Sequence, residues 1–267
     1  MKVVPKKHLG QHFLKDVQIC KRIADAILIN EPEQNVLEIG PGTGALTQFL
    51  IPKNFSLVAY EVDIESIEYL SLHSPDLKLI QKDILSENWG SVFEEQFTIV
   101  GNFPYNFSSQ IVFKVFENRS IITQLLGMFQ KEVAERICAQ PGTKKYGILS
   151  VLIQAFYKTS YLFTVNEEVF NPPPKVKSGV IRLERNQIEH LNCDEILFVK
   201  VVKSTFNQRR KMVRNSIKGL CKGHNISHEL MTKRPEQLSV NDFIQLTNLL
   251  ESKIYWRYCC YNVYCRT

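Results

Sequence analysis

Four consecutive residues, Asn102-Phe103-Pro104-Tyr105, carry the groups best suited to chemistry in this chain. The Asn102 side-chain oxygen and the Pro104 carbonyl are both hydrogen-bond acceptors, and proline stiffens the turn that holds them. Two acceptors facing one amine suit the exocyclic amine of adenine. That nitrogen is a poor nucleophile because its lone pair is delocalised into the ring. Accepting both of its hydrogens favours a more tetrahedral, more reactive form. Tyr105 offers a face for stacking the base, worth about 1–3 kcal/mol. The base must be unpaired or flipped out to reach such a turn. A good methyl electrophile needs no strong general base, so catalysis here would rest on in-line placement of the reacting atoms. The competing reading is a plain turn, with Asn102 as a cap and Tyr105 in the core.

A second group of residues suits a nucleoside. Gly40, Gly42 and Gly44 follow the apolar run Val36-Leu37-Glu38-Ile39 and leave backbone that a ligand can approach closely. Glu61 ends the next apolar run and can accept both ribose hydroxyls; Asp83 ends the third and can meet an adenine amine. Open α/β sheets bind ligands at these carboxyl ends of strands. The glycine loop by itself fits NAD(P) as well as S-adenosyl-L-methionine, and its bland alternative is a turn that lets helix and strand pack.

The elements that must position these groups follow from periodicity. Strands are expected at 36–39, 57–60, 77–81, 97–100, 122–129, 157–165 and 178–183, with helices at 17–28, 45–50 and 131–138. Strands alternating with helical segments predict an α/β fold, a mainly parallel doubly wound sheet. The last two strands leave no room for a crossover helix, so an antiparallel pair at one edge is expected. After about Asn186 only helices are expected: 195–205, 211–220, 227–231 and 241–250, the last starting at Ser239–Asp242. The expected organisation is a sheet domain over 1–186, a small all-helical C-terminal domain over 187–253 and an atypical tail over 254–267.

Charge marks the helical region. The chain carries a formal +6. No acidic residue interrupts the stretch from Lys200 to Asn225, which holds Arg209, Arg210, Lys211, Arg214 and Lys218. Such a surface beside an adenine pocket points to RNA phosphates, although a charge run is more often a solvated face, and Arg209 and Arg210 could instead brace the domains. Cys20, Cys138, Cys193 and Cys221 are scattered singly and read as small hydrophobes. The start lacks the apolar core and cleavage site of a secretory signal, and no apolar run is long enough to span a membrane, so a cytoplasmic, membrane-free protein is expected.

Taken together, these motifs resemble the KsgA (RsmA) family of small-subunit rRNA adenine dimethyltransferases. The resemblance runs from residue 6 to about 251. It includes Gly10-Gln11-His12-Phe13-Leu14, Glu38-Ile39-Gly40-Pro41-Gly42-Thr43-Gly44, Asn102-Phe103-Pro104-Tyr105 and Gln130-Lys131-Glu132-Val133. Further on come Tyr146-Gly147, Phe170-Asn171-Pro172-Pro173-Pro174-Lys175-Val176 and Phe206-Asn207-Gln208-Arg209-Arg210-Lys211. It implies a Rossmann-like class I methyltransferase fold and S-adenosyl-L-methionine as cofactor. It further implies that His12 and Leu14 touch the cofactor from an N-terminal arm, that Gly40 lies against it, and that Asn102 stands between cofactor and target. Phe170 would stack on the target base opposite Tyr105. The implied substrate is a pair of adjacent adenosines near the 3′ end of 16S rRNA in a small-subunit precursor, met by a monomeric enzyme.

The chain departs from the family at Phe103, where Leu or Ile is usual, and at Lys177, where an acidic residue is common. Other readings are a 23S rRNA adenine methyltransferase and a non-catalytic nucleic-acid-binding factor on the same fold. An NAD(P) oxidoreductase would leave the Asn102–Tyr105 turn unexplained. The tail, Ile254 to Thr267, holds three cysteines, four tyrosines and a tryptophan. Cys259, Cys260 and Cys265 lack the paired spacing of a metal site; an accidental extension without a catalytic part is expected, the other reading being an aromatic flap that packs on the body or on RNA.

Overall fold

A computed structural model describes residues 3–221, 223–224 and 226–263, with side chains to 253. In chain order the elements are β1 (Phe13–Leu14), α1 (Val17–Asp25), β2 (Asn35–Ile39), α2 (Thr47–Leu50), β3 (Ser56–Glu61) and α3 (Ile64–His73). Then come β4 (Lys78–Gln81), β5 (Phe97–Asn102), α4 (Ser108–Glu117), β6 (Ile122–Gln130), α5 (Lys131–Cys138) and α6 (Ile148–Gln154). The last are β7 (Tyr157–Val165), β8 (Phe170–Asn171), β9 (Ser178–Arg185), α7 (Glu195–Asn207), α8 (Val213–Ser216) and α9 (Val240–Val263).

Seven strands form one sheet in the order β4-β3-β2-β5-β6-β9-β7. The first five are parallel, while β9 is antiparallel to both β6 and β7. This is the expected fold class, with the antiparallel pair at one edge. The central strands β5 and β6 are buried almost throughout. They are therefore continuous apolar runs rather than alternating ones. The carboxyl ends of β2, β3 and β5 lie side by side and deliver Gly40, Glu61 and Asn102 to one rim. A separate two-residue pairing joins β1 to β8, Leu14 opposite Phe170.

The chain divides into two compact units: residues 1–138 with 157–186, and residues 139–156 with 187–267. This differs from a single cut after 186. The segment carrying α6 belongs with the helices because α6 packs on α7 and α9. In that unit Phe206 lies 6.0 Å from the Tyr146 ring and 5.8 Å from Phe243. Asp194 caps α7 through Leu197 N (2.9 Å), and Ser239 with Asp242 caps α9, at the expected start. The helix expected over 211–220 is only the short α8, because Arg209 and Lys211 turn back on Phe206 and Gln208. The α9 backbone runs on to Val263, past the expected stop. The side chains of 254–267 lie outside the described residues, and the reading of the tail with them.

Phe103 shows how the sheet fixes the reactive turn. Gly101 and Gly127 face each other on β5 and β6, and the Phe103 ring lies on them. A Cβ built on Gly127 would stand 2.1 Å from Phe103 Cε2 and 2.7 Å from the Gly101 carbonyl. The ring also packs on Phe129 at 4.8 Å. Overpacking a core costs about 1–3 kcal/mol, so Gly127→Ala is expected to lower stability in urea melts by that amount. Adding Phe103→Leu should recover part of the loss. Simple additivity of the two substitutions would show that the ring does not set this packing.

Candidate active site

Most of the residues selected from the sequence meet in one open cleft that encloses about 850 Å³ with its open mouth included. Its wall contains His12, Gly40, Gly42, Glu61, Asp83, Asn102, Pro104 and Tyr105. A smaller recess of about 400 Å³ shares Phe13, Gly40, Gly42 and Asn102 with it and adds Leu14 and Glu38. Leu14 thus reaches the recess but not the larger cleft.

Glu61 is nearly buried and already accepts three backbone amides: Gly42 N (3.0 Å), Val62 N (2.8 Å) and Asp63 N (3.0 Å). Burial pushes its pKa up, and those three hydrogen bonds pull against the rise. A carboxylate has about four acceptor sites, so one remains for a hydroxyl in the cleft. Asp83 Oδ1 accepts from Leu85 N at 2.9 Å, which closes the loop after β4 around the acid. Gly40 has φ +67°, and a Cβ built there meets nothing within 4 Å. Its α-carbon therefore faces ligand space.

The N-terminal arm covers this site. Lys6 pairs with Asp63 and, at 3.2 Å, with Glu65, while Gln11 Nε2 donates to Asp63 Oδ2 at 3.2 Å. Burial raises the Asp63 pKa, but hydrogen bonds from Lys6, Gln11 and Ser66 outweigh it and hold the group low. His12 Nδ1 donates to the Pro172 carbonyl at 2.7 Å, and the His12 ring stacks on Tyr105 at 5.4 Å. The His12 carbonyl accepts from Asn102 Nδ2 at 2.9 Å. A carbonyl cannot donate, so the Asn102 amide must turn its NH₂ to the arm. Its oxygen is then left without a partner among the described residues.

Two expectations are corrected by the geometry. The Pro104 carbonyl is committed to the start of α4, accepting from Phe107 N (3.1 Å) and Ser108 Oγ (3.3 Å). Phe170 is 1% exposed, inside the apolar cluster with Leu14, Ile23, Val100 and Val180, and lines neither cavity. Its main-chain pairing with Leu14 accompanies this inward placement, so no second stacking face is offered opposite Tyr105. Tyr105 itself is held by its hydroxyl, 2.5 Å from Ser178 Oγ, and burial raises its pKa.

The basic residues divide as well. Arg209 Nη2 donates to the Thr143 carbonyl at 3.1 Å, and its Nε lies 3.8 Å from Glu236, so it braces the helical unit internally. Arg210, Lys211, Arg214 and Lys218 are exposed.

Glu38 was missed as a site residue. It is 1% exposed, its Oε2 has no hydrogen-bond partner, and burial, helped by nearby Glu61, raises its pKa to about 8. A charged residue inside the apolar run before a glycine loop was the available signal. Its position tests the two nucleotide readings. A carboxyl under the glycine loop suits an ammonium and disfavours a pyrophosphate. The helix after that loop, α2, has only four residues, a weak anion site. These residues fit S-adenosyl-L-methionine, a nucleoside with an amino-acid end, better than a dinucleotide. Among the described residues no helix is long and apolar enough to cross a membrane.

Residues 4–252 match the family model described as ribosomal RNA adenine dimethylase. The chain is 56% identical to ribosomal RNA small subunit methyltransferase A of Bacteroides thetaiotaomicron, over 95% of this chain and 97% of that protein. The protein of the same name from Flavobacterium johnsoniae is 54% identical, over 94% and 97%. Among solved structures, a dimethyladenosine transferase from Plasmodium falciparum superposes with TM-score 0.76 at 26% identity, over 91% of this chain and 98% of that one. The 23S rRNA methyltransferase ErmE reaches TM-score 0.65 at 24% identity, over 88% and 99%, a likeness of fold alone. The chain belongs to the ribosomal RNA adenine dimethylase family.

Proposed function

We propose that this protein dimethylates the exocyclic amines of two adjacent adenosines near the 3′ end of 16S rRNA, acting as a cytoplasmic monomer on a small-subunit precursor. The observation that carries this reading is the free Asn102 oxygen, held at the cleft by the His12 carbonyl. The small-subunit target is supported by the names of relatives more than 50% identical over nearly the whole chain. A 23S target has only the fold likeness behind it.

S-adenosyl-L-methionine, when bound, supplies an electrophilic methyl group. Glu61, with one acceptor site left, would hold one of its ribose hydroxyls, Asp83 its adenine amine, and Glu38 the ammonium of its amino-acid end. Gly40, Gly42, His12 and Leu14 would shape the space around it. On the acceptor side, Tyr105 forms an aromatic wall for the base, tied at its hydroxyl to Ser178. Asn102 Oδ1 accepts one amine hydrogen and turns the nitrogen lone pair toward the methyl. The Pro104 carbonyl stays with Phe107 N and Ser108 Oγ at the start of α4, so Asn102 is the acceptor that faces the amine. Rate then comes from alignment rather than from a strong base. Arg210 and Lys211 would contact RNA phosphates, while Arg209 keeps their turn in place.

The direct test is incubation with labelled S-adenosyl-L-methionine and unmethylated small or large subunits, followed by mapping of the labelled base. Label on two adjacent adenosines of 16S rRNA is expected. Label on 23S rRNA, or none on either, would reject the assignment.

The Glu38 role predicts a pH effect. In the free protein Glu38, with a pKa raised to about 8, is protonated at neutral pH. A bound ammonium favours the carboxylate, so binding releases a proton. Affinity for S-adenosylhomocysteine is therefore expected to rise with pH up to about 8, by at most about tenfold per pH unit for one proton. Calorimetry on Glu38→Gln should give a flatter profile over the same range. An unchanged profile would place the titration elsewhere.

A further inference from the structure

We propose that Lys114 is a positioning residue for methyl transfer, its ammonium holding in shape the loop that receives the adenine end of the donor. The proposal rests on the donor site described above. Lys114 lies on α4, the helix that leads out of the Asn102–Tyr105 turn. Its Nζ donates to three backbone carbonyls: Ile84 (3.0 Å), Leu85 (2.7 Å) and Glu87 (2.6 Å). Those bonds use all three donors of an ammonium. Among the described residues no carboxylate pairs with it, so its charge is spent on the loop backbone.

Three carbonyl dipoles converging on one point repel each other. A cation placed at that point offsets the repulsion and holds the loop in shape. Burial works against the charge, while Asp83, Glu117 and Glu87 lie near enough to support it. Trp89 completes the arrangement: its Nε1 donates to the Ile84 carbonyl at 2.8 Å, and its ring lies 5.5 Å from the Lys114 ammonium. The loop so clamped is the one that lines the cleft with Asp83, Ile84 and Leu85.

The same helix also holds the acceptor side. Ser108, in its first turn, donates to the Pro104 carbonyl. Six residues of helix, about 9 Å at 1.5 Å per residue, separate Ser108 from Lys114. One helix thus touches both the turn that receives the target amine and the loop that receives the donor's adenine, but Lys114 bonds to the donor loop alone. Because Lys114 acts on the donor loop, its loss should weaken donor binding and leave chemistry on the bound donor intact.

The test compares Lys114→Met and Lys114→Arg in the full chain. Calorimetry measures binding of S-adenosylhomocysteine, and steady-state assays on unmethylated small subunits give KM for S-adenosyl-L-methionine and kcat. Lys114→Met is expected to weaken binding and raise KM about tenfold, the size of a lost charge-assisted hydrogen bond, with kcat little changed. Lys114→Arg, which keeps the cation, should recover most of the loss. Unchanged binding and KM in a folded Lys114→Met protein would overturn the proposal, as would equal losses in affinity and kcat with no rescue by arginine. If Lys114→Met does not fold, hydrogen exchange on the wild-type chain decides. The amides of residues 85–87 must gain protection when S-adenosylhomocysteine binds, and unchanged protection overturns the proposal. Binding that Glu61→Ala abolishes and Lys114→Met retains defeats the lysine's role alone. A wild-type chain that fails to bind defeats the donor site and this proposal together.

Discussion

A carbonyl oxygen can only accept a hydrogen bond, and that constraint orients the reactive corner of this protein. The His12 carbonyl faces Asn102 at 2.9 Å, so the amide must present its nitrogen to the arm and its oxygen to the cleft. Neither residue achieves this by itself. Asn102 ends β5, where the buried sheet holds its backbone, and Phe103 packs down on the glycines beside it. His12 sits on an arm with little core of its own. It is held by the Lys6–Asp63 pair, the Gln11 bond to the same acid, and the short pairing of β1 with β8.

The arm and the donor site therefore share parts. Asp63, which anchors the arm, follows Glu61 by two residues, and its amide donates to the Glu61 carboxylate. Asn102 borders both the large cleft and the recess that contains Glu38. In the function proposed above, one wall would serve both the methyl donor and the methyl acceptor. This is the arrangement expected of an enzyme that lowers its barrier chiefly by bringing two substrates into line.

Much of this was legible in the sequence because it depends on strand ends. Glu61 and Asn102 end strands and Asp83 comes two residues after one, and a parallel sheet aligns those strand ends at one rim. What was not legible depends on contacts between distant segments. Phe170 looked available for stacking. Its pairing with Leu14 lies in a two-residue strand too short to leave a periodic signal, and its ring is buried in the core. Arg209 read as one more RNA contact; its partners Thr143 and Glu236 are far away along the chain. The same distance hid the grouping of residues 139–156 with the C-terminal helices. Glu38 was visible as a charge in an apolar strand, but only its unpartnered oxygen beside the recess gives it a task.

The claim that the Asn102 oxygen activates the target amine is tested most directly by single-turnover methyl transfer. The comparison is wild type against Asn102→Ala, with donor and unmethylated small subunits both saturating. Removing a preorganised hydrogen-bonding group from a reacting centre costs about 100-fold or more, and a loss of that size is expected with the melting profile nearly unchanged. A single-turnover rate close to wild type would contradict the account.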